Sequence, residues 1–176
     1  AVFLLEIPDV KRWSPDSPHL YTLNAAFGND QVTEHFGVRT LHWNEREGMT
    51  INGKRVILRG ACVHHDNGLL GACTFPEAEE RKVRILKENG YNAIRSSHYP
   101  CSKDMLDACD RQGMLMMDEY VDVWYIHKTK YDYAGYLNEW WQQDIKDMVE
   151  KDYNHPCVIM YSTGNEVAET AQKKGI

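Results

Sequence analysis

The sequence predicts an α/β fold: a partial (β/α)8 TIM barrel, about the first four β/α units, over residues 46–176, preceded by the last strands of a β-sandwich over residues 1–45. Three observations predict it. Up to Trp43, short β-rich runs alternate with turn chemistry, the pattern of antiparallel strands. From Met49 onward, short apolar runs are separated by helical patterns, which implies parallel strands with helical crossovers. Reactive side chains then gather at the end of each of these later runs, the mark of a barrel's active-site face.

In the first part, VFLLEI, LYTLNAAF and QVTEHFGVRTLHW read as strands, separated by SPDSP and GND. A whole sandwich takes about 100 residues and about seven strands, so these strands are expected to close a domain that begins before Ala1. In the second part VILRGACV reads as a strand. EAEERKVRILKENG follows as a helix whose Val83 and Leu86 keep the helical period until Gly90 stops it. YNAIRSS is the next strand. SKDMLDACDRQG opens on the N-cap candidate Ser102, buries Met105, Leu106 and Cys109, and ends at Gly113, after which MLMMDE is a third strand. LNEWWQQDIKDMVEKDYN places Leu137, Trp140, Trp141, Ile145, Met148 and Val149 on one stripe, which assigns both tryptophans to the core, and CVIMYSTGNE is the fourth strand.

A doubly wound sheet also fits four such units. The carboxyl ends carry His64, His65 and Asp66, then Ser97 and His98, then Asp118 and Glu119, then Asn165 and Glu166, and no G-x-G-x-x-G follows the first strand. Both facts favour the barrel over a dinucleotide-binding sheet.

Composition narrows the function. The net charge of −6, without a basic stripe, argues against nucleic acid as a partner. No run approaches the roughly eighteen apolar residues of a membrane span, and AVFLLEIPDVKRW lacks the basic start and cleavage site of a signal peptide, which favours a cytoplasmic setting. Cys62, Cys73, Cys101, Cys109 and Cys157 are odd in number and contain no C-x-x-C pair, so neither a disulfide framework nor a zinc ribbon is expected. Cys62 and Cys157, inside apolar runs, read as buried thiols.

Glu166 is the principal candidate for chemistry. A carboxylic acid at the mouth of an apolar barrel is expected to be desolvated and able to hold a proton near neutral pH; capping a following helix is the plainer role for such a residue. Asn165 beside it offers a donor and an acceptor to a sugar hydroxyl. His98 lies in SSHYP, where Pro100 imposes a turn, and is a candidate substrate contact. His64-His65-Asp66 invites a metal site, but adjacent strand residues point to opposite faces, so one imidazole holding substrate fits better than zinc. Trp124 and Tyr125 follow the third strand, where an aromatic ring can stack on a sugar. Asp122, Trp124, His64, His98 and Asn165 complete the candidate pocket, with Arg95 placed below the strand end.

At these residues the chain resembles glycoside hydrolase family 2. NAIRSSHYPCSKDMLDACDRQGMLMMDE is similar to the family's first signature and DYNHPCVIMYSTGNE to its acid/base signature, while WSPDSPHLYTL and FGVRT resemble the end of its immunoglobulin-like domain. The resemblance implies a retaining glycosidase, most closely of β-galactosidase type, with Glu166 as general acid/base, Asn165 on the sugar 2-hydroxyl, and His98 and His64 on substrate. Retention needs two carboxyls about 5–5.5 Å apart. The resemblance puts the nucleophilic Glu on a seventh barrel strand, outside these residues, with Glu119 supporting the site and the 176 residues alone inactive. HHDNGLLGA and DEYVDVWYIHKTKYDY resemble the β-galactosidase branch. Val123 and Tyr125 stand where magnesium-dependent relatives carry ligands, so no metal or other cofactor is expected. The expected partner is a β-galactoside or related carbohydrate, such as a glucuronide. A non-catalytic sugar-binding module and a metal hydrolase are the rival readings. Open strand edges favour association, so a homo-oligomer is expected.

Overall fold

The computed structural model describes residues 2–171. Strands β1 (Tyr21–Phe27) and β2 (Asp30–Phe36) form an antiparallel hairpin, closed by Gly28 at φ 61°. Strands β3 (Leu41–Asn44), β4 (Gly48–Ile51) and β5 (Lys54–Arg55) form an antiparallel meander, whose second turn uses Asn52 and Gly53 at φ 52° and 77°. Positive φ at both central residues matches the right-handed twist of a hairpin.

Two strand expectations here need correction. Residues 2–7 form no strand, and Val2, Phe3, Leu4 and Leu5 are exposed, because no neighbouring strand supplies their ladder among the described residues. QVTEHFGVRTLHW is two strands, because Gly37 breaks the run: a Cβ there would lie 2.7 Å from Pro156 Cγ and 2.9 Å from Trp13 Cβ.

The second part is a parallel sheet. Strands β6 (Gly60–His64), β7 (Ala93–Ser97), β8 (Leu115–Glu119) and β9 (Val158–Ser162) lie side by side in sequence order. Helices α1 (Pro76–Glu88), α2 (Lys103–Gln112) and α3 (Ala134–Asp152) make the crossovers. A doubly wound sheet reverses strand order part-way. Here the order never reverses, as in a barrel.

Local chemistry sets the helix limits. Pro76 starts α1, where its missing N–H costs nothing, and Glu77 and Glu79 complement the positive end of the helix. The Ser102 hydroxyl accepts from Met105 N at 3.1 Å to start α2. Gly113 ends it at φ 72°, with Pro15 O only 2.3 Å from where a Cβ would sit. Asp132 Oδ1 accepts from Ala134 N at 3.1 Å, which starts α3 three residues before Leu137.

The core lies between helices and sheet, around Val83, Ile94, Leu106, Met114, Leu115 and Met116. The fully buried Trp13 joins the first part to it, donating from Nε1 to Asp110 O at 2.9 Å. Arg39 donates to Pro156 O and Val158 O, both at 2.5 Å, tying the FGVRT stretch to the foot of β9. Burial pulls the Arg39 guanidinium below its ordinary pKa.

Trp140 and Trp141 are 46% and 41% exposed, not core: α3 buries Ala134, Leu137, Met148 and Asp152, and the flank carrying the two indoles is uncovered among the described residues. Cys62 is likewise exposed rather than buried, because alternate residues of β6 (Gly60, Cys62, His64) lie on the sheet's exposed face. Cys157 is buried as expected, and burial pushes its thiol well up. No helix among the described residues is long and apolar enough to cross a membrane.

Candidate active site at the carboxyl ends of the parallel strands

Strand alternation sorts the acidic pair that ends β8. Asp118 faces the helices: its Oδ1 accepts from Ser96 Oγ at 2.7 Å and Cys101 N at 2.9 Å, and its Oδ2 from Lys151 Nζ at 3.2 Å. Glu119 faces the other way and is completely buried. It accepts from Arg95 Nε at 2.7 Å and also from Arg95 Nη2, from His98 Nδ1 at 2.5 Å and from Ser162 Oγ at 2.6 Å. The hydrogen bonds to Glu119 hold the Arg95 guanidinium above its ordinary pKa.

From Arg95 a chain of polar contacts runs outward. Arg95 Nη2 donates to Asn165 Oδ1 at 3.0 Å, and Asn165 Nδ2 donates to Asp122 Oδ1 at 2.8 Å. Lys128 Nζ then lies 2.7 Å from Asp122 Oδ1 and 3.0 Å from Glu166 Oε2. Burial alone would raise the Asp122 carboxyl, but hydrogen bonds from Lys128 and Asn165 hold it below the ordinary range. Burial lowers Lys128 as well, and its bonds to Asp122 and Glu166 outweigh that and raise it. The order Glu119, Arg95, Asn165, Asp122, Lys128, Glu166 alternates acid and base around one amide, so each charge has an opposite neighbour.

Of the expected site residues, Glu166, Asn165, Asp122 and His98 belong to this network. His64 stands against His98, with ring centroids 5.1 Å apart and planes at 90°. Trp124 borders it: its Nε1 donates to Thr163 O at 2.8 Å. Three expectations change. The fourth strand ends at Ser162, where the chain leaves the ladder and Asn165 N donates to Val121 O at 3.1 Å, and Glu166 lies beyond that contact at φ 46°. The Glu166 side chain is 76% exposed, so the expected desolvation is not found; among the described residues its ion-pair partner is Lys128. Arg95, placed below the strand end by the sequence, is 31% exposed and is the hinge of the network.

Lys128 escaped sequence reasoning because no spacing rule marks a lysine in a loop. Loop chemistry offers a retrospective signal: Asp132 Oδ2 accepts from Lys128 N at 2.6 Å and Thr129 N at 2.9 Å, an Asp-centred turn. Glu169 was missed too. Its Oε1 accepts from Tyr125 N at 2.6 Å and Ile126 N at 2.7 Å, pinning the same loop from the other side, and although burial opposes it, these backbone bonds help hold its carboxyl below the ordinary range.

Val123 is buried and has no ligand atom to offer a metal. Asp107, Asp110 and His155 do bring ligand atoms within 4.8 Å of one another. They sit at the opposite end of the sheet, and Asp110 is already engaged by His155 Nδ1 at 2.6 Å and Cys157 N at 2.9 Å.

Residues 44–175 match the family described as "Glycosyl hydrolases family 2, TIM barrel domain", and residues 1–39 match "Glycosyl hydrolases family 2". The β-galactosidase BoGH2A of Bacteroides ovatus is 44% identical over 170 residues, covering 94% of this chain and 20% of that protein. A β-glucuronidase of Bacteroides fragilis is 31% identical over 162 residues, covering 88% of this chain and 23% of that protein. The crystal structure of a glycosyl hydrolase family 2 member from Bacteroides cellulosilyticus has a TM-score of 0.87 at 43% identity, over 93% of this chain and 22% of that one. The chain spans about a fifth of the length of the curated relatives it matches. With the barrel match covering residues 44–175, the chain belongs to glycoside hydrolase family 2.

Proposed function

We propose that the protein containing this segment hydrolyses terminal β-galactosides with retention, and that Glu166 is its general acid/base. The observation that carries the reading is the contrast in commitment between the two glutamates. Glu119 is buried under donors from Arg95, His98 and Ser162, whereas Glu166 presents its carboxyl to solvent at the carboxyl ends of the strands, paired with Lys128. Only the second can reach a glycosidic oxygen. Glu119 is excluded as nucleophile on the same ground, and the second carboxyl that retention requires is supplied by another residue. Asn165, whose amide keeps one N–H and one lone pair beyond its bonds to Arg95 and Asp122, receives the sugar 2-hydroxyl; His98, His64, Asp122 and Trp124 line the sugar.

A neutral hexose fits this pocket better than a uronate. A sugar carboxylate calls for an uncommitted Lys or Arg. Arg95 is engaged by Glu119, and Lys128 is shared by two carboxylates. The relative at 44% identity is a β-galactosidase, which supports galactose.

In the intact protein, Glu166→Gln is expected to slow substrates with poor leaving groups by about 10²–10⁴-fold and activated aryl galactosides far less, since only the former need a proton at cleavage. Azide is expected to restore turnover of the activated substrates. Equal losses on both classes count against the role of Glu166; faster hydrolysis of nitrophenyl β-glucuronide than of the β-galactoside counts against the sugar alone.

A further inference from the structure

We infer that Lys128 is a positioning residue for the acid/base: its ammonium holds the Glu166 carboxyl beside Asp122 in the orientation from which a proton passes to the leaving oxygen. This rests on the reading of Glu166 as acid/base. Three observations carry it. Lys128 Nζ contacts carboxylates from two separate loops, Asp122 at 2.7 Å and Glu166 at 3.0 Å, and an ammonium has three donors to share between them. The loop that presents it is clamped on both sides, by Glu169 on Tyr125 N and Ile126 N and by Asp132 on Lys128 N and Thr129 N. Asp122 is itself fixed through Asn165 and Arg95 to the buried Glu119. The exposed end of the network is therefore referenced to the rigid sheet through Lys128.

An isolated surface ion pair contributes little to stability, about 0–1 kcal/mol, so stability is not what this contact supplies. Its effect is geometric. Glu166 is 76% exposed and lies beyond the end of β9, so without the ammonium its carboxyl would share a loop mouth with the Asp122 carboxylate and be repelled from it. A misplacement of about 1 Å in a reacting group can cost on the order of 10²-fold.

The test uses the intact protein and a series of aryl β-galactosides spanning good and poor leaving groups. Lys128→Met keeps the apolar stem and removes the charge. It is expected to lower kcat/KM by about 10–100-fold on the poorest leaving groups and by less than about threefold on dinitrophenyl galactoside. Lys128→Arg, which keeps the charge, is expected to recover most of the loss. A role limited to folding would lower all substrates together and would not distinguish Met from Arg in leaving-group dependence. If Lys128→Met lowers every substrate equally, or none, while Glu166→Gln remains leaving-group dependent, the inference about Lys128 is overturned and the role of Glu166 stands. If Glu166→Gln shows no such dependence, the acid/base reading fails and this inference falls with it.

Discussion

Glu119 and Glu166 stand at the two ends of one chain of contacts and have opposite surroundings. Glu119 ends a strand, is shielded from water and satisfies three neighbouring side chains. Glu166 lies in a loop at a backbone conformation that L-residues seldom adopt, faces solvent and pairs with Lys128. The difference teaches how the proposed site divides its work: a buried carboxylate that takes donors from three side chains organises other residues, and a carboxylate left open can exchange a proton. The intervening Arg95, Asn165, Asp122 and Lys128 make the position of the open one depend on the closed one.

The largest expected effect comes from removing the charge of the closed carboxylate. Glu119→Gln sets an amide N–H against the donors of Arg95 or His98, and breaking a buried pair of this kind costs about 3–5 kcal/mol, less here because Arg95 is partly solvated. We expect a loss of about 2–4 kcal/mol in the intact protein, measured by denaturant unfolding of wild type and variant. Glu166→Gln, at an exposed position, is expected to stay within about 0.5 kcal/mol of wild type. Equal stability losses from the two substitutions would erase the distinction between the closed and the open carboxylate.

A smaller effect separates the loop's conformation from its charges. A Cβ on Gly164 would lie 2.7 Å from Trp124 Nε1 and 2.7 Å from Val167 Cγ2, so the loop that carries Glu166 needs glycine for its close approach to the indole. Gly164→Ala is expected to cost about 1–3 kcal/mol, as overpacking does, and to lower kcat more than it raises KM for poor leaving groups. A fully active, equally stable Gly164→Ala protein would show that the Trp124 contact does not locate Glu166.

The strand order, the helices and their caps could be read from residue patterns because each has a local cause: Ser102 and Gly113 announce the ends of α2, and the apolar runs announce the strands. The members of the site were visible as residue types at carboxyl ends, but their arrangement was not. Nothing local says that Arg95 bonds Glu119 and Asn165 across three strands, or that Lys128 reaches two carboxylates from a loop. Exposure was misjudged where a partner layer decides it. Trp140, Trp141 and Cys62 carry correct periodicity on faces that no element covers among the described residues, and Glu166 was assigned a desolvated mouth on the strength of a strand that ends at Ser162.

Asp152 offers the finest test of the contrast, because it is buried like Glu119 yet incompletely paired. Its Oδ1 accepts from Lys151 Nζ, while Oδ2 is buried with no hydrogen-bond donor among the described residues. Burial, together with the nearby Asp118 charge and against the pull of Lys151, raises its pKa from 3.8 to about 6. Between about pH 4 and pH 6 the folded protein therefore keeps a proton that the unfolded chain has released. The stability this contributes is fully present below the unfolded pKa and is lost as pH rises through about 6. Asp152→Asn imitates the protonated form at every pH, with an amide N–H where the acid proton would sit. Asp122 and Glu169, whose carboxyls are held low, favour stability in the opposite direction, but they are common to both proteins and cancel in the difference. We expect wild type to lose about 1–2 kcal/mol relative to Asp152→Asn between pH 4 and pH 7, read as a drop of several degrees in the wild-type Tm relative to that of the variant. Parallel Tm curves across that range would mean that Asp152 is ionised in the fold throughout, and that Lys151 pairs it as completely as Arg95 and His98 pair Glu119.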